Sequence, residues 1–264
     1  MNLKLLDKIL TDVQGHCGYI NFYFQGEPYL NPQFLDMVRL ADQKGIYTAT
    51  STNAHFLNDT QAKKTVESGL DRLIISIDGT DQATYESYRK EGSLDKVIEG
   101  TQNILSWKKK LKSSTPHVIF QFLVVQPNEH QIEEVKSLGK SLGVDEVRFK
   151  TAQIYDFENG NELIPTIDKY SRYKQTGNNS WAIKNPLDNH CWRMWSGAVI
   201  TWDGKVVPCC FDKDAKHQMG DLSTHSFRSI WNNDTYVAFR KQILTSRSEV
   251  EMCKNCSEGT TVWG

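Results

Sequence analysis

Five of the six cysteines in this 264-residue chain lie after residue 190, and they are the side chains most able to do chemistry. They are Cys191, Cys209, Cys210, Cys253 and Cys256. In a reducing compartment, clustered cysteines typically hold a metal ion or a metal cluster rather than form disulfides. Four thiolates suit a tetrahedral zinc site or an iron-sulfur cluster. The spacing alone leaves both open, together with a third interpretation as buried thiols.

The expected ligands are Cys191, Cys209, Cys253 and Cys256, with Cys210 as the alternative to Cys209. The Cys253-x-x-Cys256 pair can place two sulfurs on one metal centre, because two residues just span the turn between them. Cys209 ends the second strand of a predicted hairpin. Residues 190–195 must then form a turn or a short helix that brings Cys191 back to the other three.

The predicted elements of the first 150 residues alternate regularly between strands and helices. Apolar and β-branched runs predict strands at 19–24, 46–51, 72–77, 118–125 and 144–150. Amphipathic periodicity predicts helices at 3–13, 33–44, 58–68, 94–112 and 129–142. Such alternation is typical of a parallel sheet, open or curled into a partial barrel, whose ligands bind at the carboxyl ends of its strands.

The alternation stops after residue 150, and this predicts a second unit. We expect a barrel domain at 1–155, a linker at 156–190 and a cysteine-rich domain at 191–264. In that last domain, residues 198–202 and 205–208 flank Asp203-Gly204, which predicts a hairpin turn with both central residues at positive φ. A helix at 227–244 should follow.

Charge and composition exclude several partners. Lys and Arg number 31 against 32 Asp and Glu, so no basic excess points to nucleic acid. No run approaches the roughly 18 apolar residues of a membrane span, and Asp7 and Lys8 interrupt the apolar stretch that a signal peptide needs. We therefore expect a cytoplasmic protein that acts on neither nucleic acid nor membrane.

Several short motifs, taken in order, resemble the radical S-adenosylmethionine (SAM) superfamily. In the first half they are Phe24-Gln25-Gly26-Glu27-Pro28, Ser51-Thr52-Asn53-Ala54, Ile75-Ser76-Ile77-Asp78-Gly79 and Tyr88-Arg89. In the second half they are Cys191-Trp192, Trp202-Asp203-Gly204, Pro208-Cys209-Cys210, Met219-Gly220-Asp221, Ile230-Trp231-Asn232 and Cys253-x-x-Cys256. The second set is similar to the SPASM or twitch extension, which carries auxiliary 4Fe-4S clusters.

The resemblance implies a fold, cofactors and a reaction. The fold would be α/β, a partial (β/α)6 TIM-like barrel that lacks its first strand, with a small cysteine-rich α+β domain. The resemblance implies that SAM would meet the loop of Gly26, Glu27 and Pro28, polar groups at Asn53, Ser76 and Asp78, and the guanidinium of Arg89. Glycine lets the backbone approach a bound molecule, proline stiffens a turn, and the fork of an arginine matches a carboxylate. The structural alternatives are a solvated turn residue for Glu27 and a salt bridge or helix cap for Asp78 and Arg89. In this family a reduced cluster splits SAM to methionine and a 5'-deoxyadenosyl radical, which abstracts a hydrogen from the substrate.

One departure from the family is large. The family holds its catalytic 4Fe-4S cluster on a C-x3-C-x2-C loop after the first strand, and only Cys17 precedes Cys191 here. We expect that an upstream segment with strand and loop is missing, and that the chain as given is inactive. A second 4Fe-4S cluster is expected only with that segment present.

The resemblance also implies partners, and two other functions stand beside it. The expected partners are a small-molecule or peptide substrate and an electron donor such as a flavodoxin or ferredoxin. The alternatives are a non-catalytic iron-sulfur or SAM-binding module and a structural four-cysteine zinc protein.

Overall fold

The computed structural model describes residues 1–177 and 179–259, which fall into two compact units. One unit is Gly18–Trp181 and contains a parallel sheet. The other combines Met1–Cys17 with the chain from Ala182 onward and contains the clustered cysteines.

The sheet has five parallel strands whose spatial order follows the sequence. They are β1 (Tyr19–Asn21), β2 (Tyr47–Thr52), β3 (Arg72–Ser76), β4 (His117–Val124) and β5 (Glu146–Thr151). The predicted α/β class and the five predicted strands are confirmed. β1 is half as long as predicted and, among the described residues, pairs only with β2, so it forms an edge of the sheet.

Helices connect successive strands, as parallel pairing requires. In chain order the helices up to the last of these strands are α1 (Leu3–Val13), α2 (Phe34–Gln43), α3 (Asp59–Val66), α4 (Gln82–Tyr88), α5 (Leu94–Leu111) and α6 (Ile132–Leu142). α4 was not predicted from periodicity. It begins because the Asp81 carboxylate accepts a hydrogen bond from the Thr84 amide, 2.9 Å away.

One face of the sheet forms the core of this unit. Alternate residues of β4, such as Phe120 and Phe122, are fully buried against apolar residues of α5, such as Val97 and Ile104. Gly100 lets α5 pack closely, because a Cβ there would stand 2.5 Å from the Ala54 carbonyl oxygen. The helix is thereby held against the turn that follows β2.

The segment expected to be a linker carries structure of its own. β6 (Tyr173–Gly177) and β7 (Ser180–Ile183) pair into a two-stranded sheet. The ring of Tyr173 is buried, and its hydroxyl accepts a hydrogen bond from the Ile154 amide at 2.7 Å. Most of residues 156–181 thus belongs with the parallel sheet, which differs from the expected division of the chain.

The cysteine-rich unit contains a small antiparallel sheet and short helices. The remaining elements are α7 (Arg193–Ser196), β8 (Val199–Ile200), β9 (Lys205–Val207), β10 (Gly220–Asp221), α8 (Phe227–Trp231) and α9 (Asp234–Ser246). Three-residue 3-10 helices follow at Arg247–Glu249 and Glu251–Cys253. The predicted single helix at 227–244 is two helices, because Asn233 caps α9 by accepting from the Tyr236 amide at 2.8 Å.

The hairpin between β8 and β9 exists, but its turn differs from the prediction. Only Gly204 has a positive φ, 93°, and Asp203 does not. The Gly204 amide donates to the Thr201 carbonyl at 3.0 Å, and the Thr201 amide donates to the Lys205 carbonyl at 2.9 Å. This is a three-residue turn that ends in a glycine bulge rather than a two-residue turn.

The first helix belongs to the cysteine-rich unit rather than to the sheet. Ile9 of α1 joins the tail's buried core, which includes Val206 and Tyr236. The Asp12 carboxylate accepts a hydrogen bond of 3.0 Å from the Phe227 amide at the start of α8. Residues 1–17 therefore lie outside the sheet unit, although the sequence order suggested a barrel at 1–155.

Across the described parts of the chain, no helix combines the length and the apolar composition that crossing a membrane requires.

Candidate functional site: the strand-end residues and the cysteine cleft

The loop after β1 is tied to the end of β2 by the carboxylate of Glu27. Its two oxygens accept hydrogen bonds of 2.8 Å from the Thr52 hydroxyl and 2.8 Å from the Asn53 amide. Gly26 turns the chain into this position at a φ of 78°. Pro28 then starts a 3-10 turn. Glu27 is therefore a loop anchor and not the solvated turn residue of the structural alternative.

The turn after β2 is fixed to α5 through a histidine. Nδ1 of His55 donates to the Asn53 carbonyl at 2.8 Å, and Nε2 accepts from the Ser93 amide at 2.9 Å. These two bonds require the neutral imidazole with its proton on Nδ1. The Asn53 side chain is also engaged, because Oδ1 accepts from the His55 amide at 3.0 Å. The turn is thus rigid before any ligand arrives.

An ion pair lies beyond the end of β3. Asp78, whose side chain is 1% exposed, accepts a hydrogen bond of 2.5 Å from Nε of Arg89. Its other oxygen accepts from the Leu123 amide at 2.8 Å. Burial raises the pKa of Asp78, and Arg89 offsets that effect only in part. Burial alone lowers the pKa of Arg89, but the charge and hydrogen bond of Asp78 outweigh it, so the net shift is upward.

The pair leaves part of the guanidinium available. Within the described residues, the Nη groups of Arg89 have no hydrogen-bond partner, and about a third of the side chain is exposed. Ser76, at the end of β3, is buried. The structure therefore joins Glu27 to Asn53 and Asp78 to Arg89 at the carboxyl edge of the sheet, where parallel folds bind ligands.

The four expected cluster ligands line one cleft of about 330 Å³, a volume that includes space open to solvent. Cys191, Cys253 and Cys256 are buried, and Cys209 is half-buried. Cys210 is exposed and is not part of the cleft wall. The turn at Cys191 is the expected short helix, because α7 begins at Arg193.

The cleft brings four thiols to one place, although no three of the described His, Cys, Asp and Glu side chains are arranged as the ligands of a single metal ion. Thiolates are the ligands of both tetrahedral zinc sites and iron-sulfur clusters. Burial raises the pKa of Cys253 to about 11 and raises that of Cys256, so binding must displace protons from these thiols.

Two residues were not anticipated from the sequence: Arg247 in the cleft wall and Gly259 beside Cys191. Gly259 has a φ of 80°, and a Cβ at this position would stand 2.3 Å from Sγ of Cys191. Arg247 is buried, and its Nη2 lies 3.5 Å from Sγ of Cys256. Neither position carries a local signal, because arginine is a residue type that is mostly exposed and Gly259 is a single glycine outside the motifs quoted above.

Two sequence families match the chain. Residues 191–257 match the SPASM iron-sulfur cluster-binding domain. Residues 3–139 match the radical SAM superfamily, which is more than half of the chain. The chain belongs to the radical SAM superfamily. It is a radical SAM/SPASM iron-sulfur protein, and proteins of this class use iron-sulfur clusters and SAM.

A curated relative supports this assignment. The tungsten-containing aldehyde ferredoxin oxidoreductase cofactor-modifying protein of Pyrococcus furiosus is 26% identical over 286 aligned positions. The alignment covers 97% of this radical SAM chain and 79% of the relative.

Solved structures share the fold. SuiB of Streptococcus suis bound to S-adenosylmethionine has a TM-score of 0.67 at 13% identity, with 96% of this chain and 63% of SuiB covered. The anSMEcpe structure with bound AdoMet has a TM-score of 0.65 at 17% identity, with 97% and 74% covered. The partial barrel implied by the resemblance is thus confirmed as the fold of this radical SAM protein.

The close packing of the loop that carries Asp78 leads to a prediction about Gly79. A Cβ at Gly79 would stand 2.4 Å from the Tyr85 amide nitrogen, so Gly79→Ala must displace the start of α4. We expect Gly79→Ala to lower the free energy of unfolding by about 1–3 kcal/mol, as overpacking does. Gly18→Ala is the matched control, because nothing lies within 4 Å of its Cβ position. Urea denaturation measures both, and equal midpoints would contradict the close approach.

Proposed function

We propose that Cys191, Cys209, Cys253 and Cys256 hold one auxiliary 4Fe-4S cluster in this radical SAM protein. The observation that carries the proposal is the cleft itself, which gathers these four thiols from segments far apart in the chain and leaves out Cys210. Gly259 supports it, because the missing side chain makes room beside the Cys191 sulfur. When bound, such a cluster supplies one-electron chemistry or substrate positioning.

The SAM-binding group is proposed at the carboxyl edge of the sheet. Arg89, oriented through Nε by Asp78, keeps its Nη donors for the ligand carboxylate. Because Glu27 already accepts from Thr52 and Asn53, it holds the Gly26–Pro28 loop in place. The carbonyls of that loop would accept hydrogen bonds from the ligand ammonium. Asn53 and Ser76 complete the group at the ribose. We thus propose that the SAM-binding residues lie within 1–155 and the cluster ligands within 191–264.

The proposal about enzymatic activity concerns these 264 residues alone. They contain no C-x3-C-x2-C sequence, so they offer no three-thiolate site for a cluster with an open iron. We therefore propose that these 264 residues do not cleave SAM reductively by themselves. The proposed partners are a small-molecule or peptide substrate and a flavodoxin or ferredoxin as the electron donor. The name of the Pyrococcus furiosus relative favours a small-molecule substrate.

The cluster assignment predicts the metal content of cysteine variants. Anaerobic reconstitution of the unmodified chain should yield about four irons and four sulfides per protein. Cys253→Ala should lose most of them, whereas Cys210→Ala, which changes an exposed thiol outside the cleft, should keep them. Iron, sulfide and zinc analysis measures the result. A colourless protein that holds one zinc would contradict the proposal.

The absence of a three-cysteine motif predicts a negative result that is easy to measure. The reconstituted 264-residue protein, incubated with dithionite and SAM, should form no 5'-deoxyadenosine above the protein-free blank. Chromatography of the nucleoside products provides the measurement. Product above the blank would show that another set of cysteines serves the reaction.

The proposed role of Arg89 predicts weaker SAM binding in a charge-removed variant. Hydrogen bonds to charged groups contribute about 1.5–3 kcal/mol, so Arg89→Gln should weaken binding by about tenfold or more. Lys90→Gln removes the same charge from the exposed neighbouring residue and should leave affinity nearly unchanged. Equilibrium dialysis with labelled SAM tests both variants. Equal SAM affinities of the two variants would indicate that Arg89 serves only as the structural salt-bridge partner of Asp78.

A further inference from the structure

Arg247 is a buried arginine that joins the segments bearing the cluster ligands. Its side chain is among the largest that are fully buried, at 1% exposure. Nη1 donates to the His190 carbonyl at 2.6 Å, and Nη2 donates to the Glu258 carbonyl at 2.7 Å. These carbonyls lie directly before Cys191 and two residues after Cys256. The guanidinium is therefore held in the cleft wall by neutral backbone groups.

The positive charge of Arg247 has no carboxylate partner among the residues that the structure describes. Glu258, whose carbonyl Arg247 contacts, pairs its carboxylate with Nη2 of Arg193 at 2.7 Å. Burying a cation is costly unless a negative group compensates it. Besides Glu258, whose carboxylate pairs with Arg193, the cleft residues that can become negative are the cysteine thiols.

The donors of Arg247 are only partly used. Nη2 lies 3.5 Å from Sγ of Cys256, within hydrogen-bond distance for sulfur. Nε is buried and has no hydrogen-bond partner in the described parts of the chain. A buried donor left unmatched costs stability, so this nitrogen is suited to an acceptor that the protein chain does not itself supply.

We propose that Arg247 is the counter-charge and N–H donor of the auxiliary cluster, and that it raises the reduction potential of that cluster. This inference rests on the proposed cluster ligands. Four thiolates give a cluster net negative charge, and reduction adds one more electron. A fixed cation and N–H groups close to the sulfurs stabilise the reduced form more than the oxidised form. Arg247 is thus a positioning and tuning residue, not a ligand.

The test is a potentiometric titration of the reconstituted full chain, followed by electron paramagnetic resonance, with iron counted in every sample. Arg247→Gln should lower the one-electron reduction equilibrium constant of the cluster about tenfold or more, which is a shift of about 59 mV. Arg247→Lys keeps the charge and should shift less. Arg228→Gln removes a charge from an exposed residue outside the cleft and should leave the potential unchanged.

An iron-loaded Arg247→Gln protein with the potential of the unmodified chain would overturn the proposal. If Arg247→Gln fails to keep iron, the lysine variant decides. Retention of iron by Arg247→Lys supports a charge requirement, and loss of iron in both variants shows that Arg247 only scaffolds the cleft. An unmodified chain that binds no iron would instead overturn the cluster assignment, so the two failures are distinguishable.

Discussion

Parallel pairing of β1 to β5 brings the carboxyl ends of all five strands to one edge of the sheet, and the candidate SAM site depends on that constraint. Thr52 ends β2 opposite Ile75 of β3, so the turns that follow the two strands emerge side by side. Residues distant in sequence can then share hydrogen bonds. Glu27 accepts hydrogen bonds from Thr52 and Asn53. Asp78, which lies beyond the end of β3, accepts one from the Leu123 amide of β4.

The strand-end residues are organised by hydrogen bonds made within the protein. The carboxylates of Glu27 and Asp78 each accept from two or more protein donors, and His55 is fixed in one tautomer. A site whose loops are already ordered loses less conformational entropy when a ligand binds. The Nη groups of Arg89, which have no hydrogen-bond partner among the described residues, match a carboxylate in shape and charge.

Buried charge is compensated differently in the two units. In the sheet unit, the buried Asp78 is neutralised by Arg89 and held by a backbone amide. In the cysteine-rich unit, Arg247 is buried with backbone carbonyls and one thiol around it. A desolvated guanidinium in the wall of a cleft lined by four thiols is stabilised when those thiols carry negative charge, which is the state that metal binding creates. In the proposed cluster site, the charge of Arg247 would therefore be balanced when the cofactor binds.

The sequence by itself determined the features that depend on near neighbours. The alternation of strands and helices and the Cys253-x-x-Cys256 pair follow from spacing within a few residues, and the motifs in order identified the family. Only the tertiary structure decided that α1 packs with the tail, that Glu27 anchors a loop and that Arg247 enters the cleft. Those outcomes join segments far apart in the chain, such as Asp12 with Phe227. Hydrophobic periodicity reports which face of an element is buried, but not which partner buries it, because the partner is selected by packing and by the satisfaction of buried polar groups across the whole unit.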